Sequence, residues 1–226
     1  MHSAAAKISP PAEISKFLVH LRDKMNEYPS KVLQEAVEAI GALPGVGARS
    51  ALRLALHLLR QPAENVHHFA ASVDALADKV RYCKNCNMVC DDELCEICSD
   101  TRRDHGTICV VESVRDVMSI EATGQYHGVY HVLGGIISPI NGIGPVDLSI
   151  EPLVERLQNR PGAEVILALS GDVEGETTSF YLYRKISALA GTVTTLARGL
   201  GFGDDLEYAD SLTLGRSIVN RQEFKP

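Results

Sequence analysis

Residues 83–98 read CKNCNMVCDDELCEIC, and no other stretch limits the fold as strongly. It holds five of the chain's six cysteines. Cys83 and Cys86 form one CxxC, Cys95 and Cys98 a second, with eight residues between them. Each CxxC turn offers two sulfurs on one side of an ion, and Zn²⁺ favours four thiolates in a tetrahedron. The segment has too little apolar material to fold by burial alone, so metal binding is expected to supply its folding energy. Four thiolates leave no open coordination position, so this zinc is expected to be structural rather than catalytic. A pair of redox disulfides is the alternative. Disulfides scattered evenly would suggest secretion, whereas a tight cluster in a cytoplasmic chain suggests a metal. Cys90 breaks the symmetry of the pairs and is left out of the ligand set. Cys109, in the apolar run ICVV, reads as a small core residue.

The remaining chain is ordinary in bulk. Its 226 residues suit one large domain or two to three small ones, with 45% hydrophobic and 23% charged residues. No apolar run approaches the ~20 residues that span a bilayer. The start, MHSAAAKISPPAEISKF, has no basic region followed by an apolar one, so no secretory signal is expected and the reading is cytoplasmic. The net charge is −7, but it is uneven. Residues 1–82 hold 10 Lys and Arg against 8 Asp and Glu, while residues 83–226 hold 12 against 21. Phosphate binding depends on local charge, so any DNA contact is expected in the N-terminal third or in local patches.

Residues 1–27 read as an N-terminal extension in which EISKFLVHLRDKM has the pattern of one amphipathic helix. Three helices are expected next. Ser30 is placed to cap the first, with Leu33, Val37 and Ile40 at helical spacing and Gly41 as its stop. After LPGVG the second carries Leu52, Leu56 and Leu59 on one face. Pro62 leads into a third, VHHFAASVDALADKVRY. Beyond the cysteines the chain alternates: TICVVES, GVYHVL, AEVILALS and TVTTLAR read as strands, with helices between them. That alternation predicts a parallel sheet with helices on both faces.

LPGVG between two helices resembles the helix-hairpin-helix motif of DNA repair proteins. Gly45 and Gly47 let the backbone turn tightly and approach a phosphate without Cβ obstruction. The next helix then aims free N–H groups at the anion. Arg49 and Arg53, four apart, share a face beside that terminus and would add charge without reading sequence. An ordinary helical hairpin with two solvated arginines is the alternative. His57, His67 and His68 read as surface or packing residues.

The acidic turn ALSGDVEGETT, residues 168–178, resembles the metal-binding turn of Toprim domains, the catalytic module of topoisomerases and bacterial primases. That resemblance puts Glu112 at the family's strand-ending glutamate. It puts Ser170 and Asp172 at the two aspartates of its D-x-D motif, and Gly175 at the glycine that follows. Glu112, Asp172 and Glu174 would meet at the C-terminal edge of the sheet, where Mg²⁺ could be held weakly through oxygens and waters. Ser170 replaces a carboxylate, which weakens metal chemistry. Alternatively these acids cap helices, since Glu174 and Glu176 flank a helix start that favours negative charge.

The whole order resembles the RecR recombination mediators. It consists of an N-terminal helical hairpin region, a small four-cysteine zinc module, a Toprim-type parallel α/β domain and a short C-terminal helical tail. The match runs from about Tyr28 to Arg221, most specifically in LPGVGARSALRLALHLL, CEIC, ICVVE, YHVLGGIISPINGIGP, EGETT and LARGLGFGDDLEYADSLTLGRS. The expected bounds are 28–81, 82–104, 105–198 and 199–226. The resemblance implies a non-enzymatic DNA-binding protein that forms ring-shaped homotetramers. It also implies work with RecO and RecF to load RecA on single-strand gaps during repair. A metal-dependent Toprim nuclease or primase-like enzyme is the rival. No GxxxxGK[ST] loop is present, so ATP hydrolysis is not expected.

Overall fold

The computed structural model of the protein describes residues 28–197, 199–200 and 205–219. The helix expected in 13–25 and the extension 1–27 lie outside these residues, as do parts of LARGLGFGDDLEYADSLTLGRS. The chain divides into two compact units between Leu76 and Ala77. Among the described residues no helix is long and apolar enough to cross a membrane.

In the first unit, α1 (Lys31–Gly41) and α2 (Ala48–Leu59) pack against one another, and α3 (Ala63–Lys79) carries the chain across the unit boundary. Ser30 caps α1 as expected, its hydroxyl accepting the Leu33 N–H at 3.4 Å. Pro44 and Gly45 occupy the centre of the turn that follows. Val46 N donates to Leu43 O at 3.1 Å, and Gly45 has φ +79°, the left-handed conformation that glycine tolerates best. The apolar face of α2 matches the expected one only in part. Ala51 and Ala55 are its buried residues, packed with Val37, while Leu59 is 73% exposed. Small residues at the contact bring the two helices close, and Leu52 packs at the margin of that contact.

The second unit opens with a two-stranded ribbon, β1 (Arg81–Tyr82) and β2 (Val89–Cys90), followed by the short helix α4 (Glu96–Ser99). The α/β part follows as β3 (Asp104–Val111), α5 (Val114–Glu121), β4 (Gly128–Val132), α6 (Ile150–Gln158), β5 (Glu164–Ala168), α7 (Val173–Ile186) and β6 (Thr192–Thr195). The last described helix, α8 (Ser211–Val219), begins where Asp210 Oδ1 accepts the Thr213 N–H at 2.9 Å. The four strands are parallel in the order β4-β3-β5-β6. β3 starts upstream of the expected TICVV because Asp104 already pairs with Gly128.

Successive residues of β3 face opposite sides of the sheet. Ile108 and Val110 join Leu153 and Leu157 of α6 and Leu182 and Ile186 of α7 in the larger core. Cys109 and Val111 join Val117 of α5 with Tyr130 and Val132 in the smaller one. Helices therefore cover both faces, as the alternation predicted. The chain leaves β3 for β4 on one side and then crosses to β5 on the other. That reversal opens a crevice at the C-terminal ends of β3 and β5.

Candidate functional site

Three groups of side chains carry chemistry. The first is the cysteine module. Cys83 N donates to Met88 O at 2.7 Å and Asn87 N to Cys83 O at 2.9 Å, which closes the first knuckle. Asn87 completes it in a left-handed conformation, φ 58°, which asparagine tolerates better than most residues. In the second knuckle Cys98 N donates to Cys95 Sγ at 3.4 Å. The sulfurs of Cys83, Cys86, Cys95 and Cys98 all lie within 4.8 Å of one another and are buried. This is the one such group of three or more His, Cys, Asp or Glu side chains among the described residues. Cys86 and Cys95, 3.5 Å apart, favour a thiolate on Cys95 and push the Cys86 thiol up. Cys90 stands apart, with its thiol on the Asp92 carbonyl at 3.0 Å.

The module is fastened to β4, an edge strand. Val132 N donates to Cys86 O at 2.8 Å, and Asn87 Nδ2 donates to Val132 O at 3.1 Å and Ser149 Oγ at 2.8 Å. His131, 1% exposed, has Nε2 2.6 Å from the Ser149 carbonyl, so that nitrogen carries the proton. Arg156 of α6 donates to Tyr130 O at 2.7 Å and to Asn85 O, inside the first knuckle, at 3.2 Å. An open strand edge invites foreign pairing, and here the knuckle occupies it. Asn87, His131, Ser149 and Arg156 were invisible to motif spacing. Only an Asn directly after a CxxC hints at the left-handed turn.

The second group is the α2 face. Arg49 and Arg53 are exposed and share a shallow surface with Leu52, Leu56, His57 and Arg60. Gly47 precedes α2 with φ −80° and ψ 163°, and no side chain caps this terminus. A Cβ at Gly45 or Gly47 would meet nothing within 4 Å. The motif reading singled out Arg49 and Arg53; Arg60, eleven residues after Arg49, extends the same face.

The third group lines the crevice. Glu112 follows β3 and is half-buried. Burial raises its carboxyl above the usual range, and Asp116, Asp172 and Glu174 add to the rise while Arg115 opposes it. Asp172 caps α7, its Oδ1 accepting Gly175 N at 2.7 Å and the Ser170 hydroxyl at 3.0 Å. A Cβ at Gly175 would overlap the Ser170 carbonyl and hydroxyl oxygens, so this close approach requires glycine. Glu174 accepts the Ser138 hydroxyl at 2.6 Å, and Ser138 accepts Asn141 Nδ2 at 2.8 Å. Glu112, Asp172 and Glu174 thus share one edge and one electrostatic field, while Asp172 and Glu174 hold the loop and helix start in place.

Four family models cover this architecture. The RecR helix-hairpin-helix model matches residues 33–77, the RecR four-cysteine zinc finger domain 80–100, the Toprim domain 106–197 and the RecR C-terminal model 199–222. The zinc-finger match and the sulfur cluster together support a structural zinc. Among similar curated proteins, each named "Recombination protein RecR", one from Porphyromonas gingivalis is 52% identical over 200 residues. One from Parabacteroides distasonis is 54% identical over 201, and one from Flavobacterium johnsoniae 49% over 199. Each alignment spans 88% of this chain and 97% of the relative. With every module matched in order and half of the aligned residues identical over nearly the full length of these relatives, the chain belongs to the RecR family of recombination proteins.

Proposed function

We propose that this protein is a sequence-independent DNA-binding mediator of recombinational repair and not an enzyme. It acts in the cytoplasm with RecO- and RecF-type proteins to help load RecA on single-strand gaps. The observation that carries the DNA role is the α2 terminus. Gly47 has an ordinary φ and empty space around its missing side chain, so the fold itself does not demand glycine there. Gly47 is the N-cap of α2, a position glycine also favours, and with no side chain capping that terminus its N–H groups suit close approach of a phosphate. Gly45 shapes the turn, and Arg49 and Arg53 flank it.

Cys83, Cys86, Cys95 and Cys98 are the zinc ligands in this reading, and the domain bounds are 28–81, 82–104, 105–198 and 199–226. Glu112, Asp172 and Glu174 form a contact site for a partner protein, with weak Mg²⁺ binding at most. Exposed Val32 and Leu59 in the first unit, and Ile218 and Val219 on α8, are apolar surfaces suited to assembly into a ring tetramer. The deciding experiment is Arg49→Ala/Arg53→Ala, with DNA affinity followed across a salt series. Affinity falls, and the log–log salt slope drops by about 1 for each phosphate that is no longer neutralised. Unchanged affinity and slope in a folded variant of unchanged mass move the DNA site elsewhere. The rival enzyme reading requires Mg²⁺-dependent turnover that Glu112→Ala abolishes.

A further inference from the structure

A Zn²⁺ ion with four thiolates carries a net charge of −2, and charge removed from water needs a partner. The first knuckle's own lysine is spoken for: Lys84 pairs with Glu93 at 2.8 Å. Arg102 pairs with Asp100, Arg103 with Glu121 and Lys185 with Glu151. Arg156 is different. It is half-buried, and among the described residues it forms no ion pair with a carboxylate. Its hydrogen bonds go to two carbonyls, Asn85 O between Cys83 and Cys86, and Tyr130 O on β4. A guanidinium lodged between a thiolate knuckle and a strand edge has donors to spare, five N–H groups in all. Burial and the nearby Arg160 disfavour its charge, and Cys98, Cys86 and Cys83 only partly offset them.

We propose that Arg156 is the counter-charge of the zinc–thiolate group, holding its metal while tying it to the edge of the sheet. The inference rests on the zinc reading above. A zinc–thiolate group of charge −2 is stabilised by a cation fixed nearby, and Arg156 is fixed on a carbonyl inside the first knuckle. Arg156 therefore slows zinc loss without touching the metal. A guanidinium present only to hold the Asn85 and Tyr130 carbonyls would give its charge no such role.

Two variants of the full zinc-loaded chain separate the two roles. Arg156→Lys keeps the charge and loses the fork; Arg156→Gln keeps amide donors and loses the charge. Zinc transfer to a chromophoric chelator, 4-(2-pyridylazo)resorcinol, is followed at fixed pH. Arg156→Gln is expected to release zinc roughly 10–100-fold faster, the range typical of lost outer-shell partners. Arg156→Lys stays within a few-fold of the unmodified chain. In the Co²⁺-substituted protein the sulfur-to-cobalt charge-transfer band shifts in Arg156→Gln and not in Arg156→Lys. Equal release rates in Arg156→Gln and the unmodified chain overturn the proposal. So does Arg156→Lys releasing zinc more than about ten-fold faster, and this variant decides alone if Arg156→Gln does not fold. Absence of zinc from the unmodified protein defeats the zinc reading itself, a separate outcome.

Discussion

Substitutions at Asp172 distinguish a helix cap from a metal ligand. Asp172 Oδ1 accepts the N3 amide of α7, Gly175 N, at 2.7 Å. Alanine deletes that acceptor, and a cap of this kind contributes about 1 kcal/mol, with a range of roughly 0.5–2. The Ser170 hydroxyl, also bound to Asp172, is only half-buried and regains water, so its loss adds little. Asparagine keeps an oxygen in place and ranks with aspartate as a cap. It removes one of the charges that raise Glu112, so relief of repulsion offsets a weakened interaction with the helix dipole. Asp172→Ala should therefore lose about 1 kcal/mol, a fall in Tm of roughly 2–4 °C for a unit of this size. Asp172→Asn should lose less than half of that. The assay is urea and thermal unfolding of the zinc-loaded chain, with an unchanged m-value confirming a change in stability alone. Equal losses in the two variants would refute the hydrogen-bond account and make the charge itself the stabilising element.

Other outcomes are equally specific. Glu112 has a raised carboxyl pKa, so the folded state holds its proton more tightly than the unfolded chain, and its contribution to stability declines as pH rises above about 4.5. Glu112→Gln should consequently exceed the unmodified protein in urea midpoint at pH 7, with the advantage vanishing below pH 4; no advantage at pH 7 contradicts this. Gly45→Ala should lose about 1–2 kcal/mol in thermal unfolding because of its left-handed backbone. Gly47→Ala should lose less than about 1 kcal/mol yet weaken DNA binding, and retained affinity in fluorescence anisotropy argues against a phosphate at that turn. Chelation of zinc, or Cys95→Ala, should abolish hydrogen-exchange protection at the Val132 amide, which donates to Cys86 O. Protection that persists means the knuckle holds its shape without metal.

The modular order was legible because each module has a short-range signature. CxxC spacing, Pro44–Gly45 at a turn and the alternation of apolar runs are local properties, and the cysteine cluster and parallel sheet follow them. On α2 the leucine spacing found Leu52, which packs against the contact, but not Ala51 and Ala55 at its centre, because leucine spacing marks apolar area whereas small residues mark how closely two backbones approach. The fastening of the knuckle to the sheet joins Asn87 to Val132 and Arg156 to Asn85, 45 and 71 residues apart. No periodicity encodes such pairs. In the crevice, residue type located the carboxylates but not their hydrogen bonds. Asp172 and Glu174 are engaged with Gly175 N and Ser138 Oγ, a division of labour fixed only by the conformation of the loop before α7.

The strand order sets a timetable for synthesis. β3, central in the sheet, is the first of its four strands to leave the ribosome, and its apolar residues Ile108–Val111 are buried on both sides in the finished protein. β4 follows within some twenty residues, but β5 is complete only at Ala168. At about 5–20 residues per second the nascent chain carries an uncovered flank of β3 for roughly 3–11 s. The cysteine module emerges before β3, so a metal-loaded knuckle would be waiting to receive β4 as soon as that strand appears. Zinc supply during translation would then decide whether the outer edge of β4 is covered as soon as that strand appears.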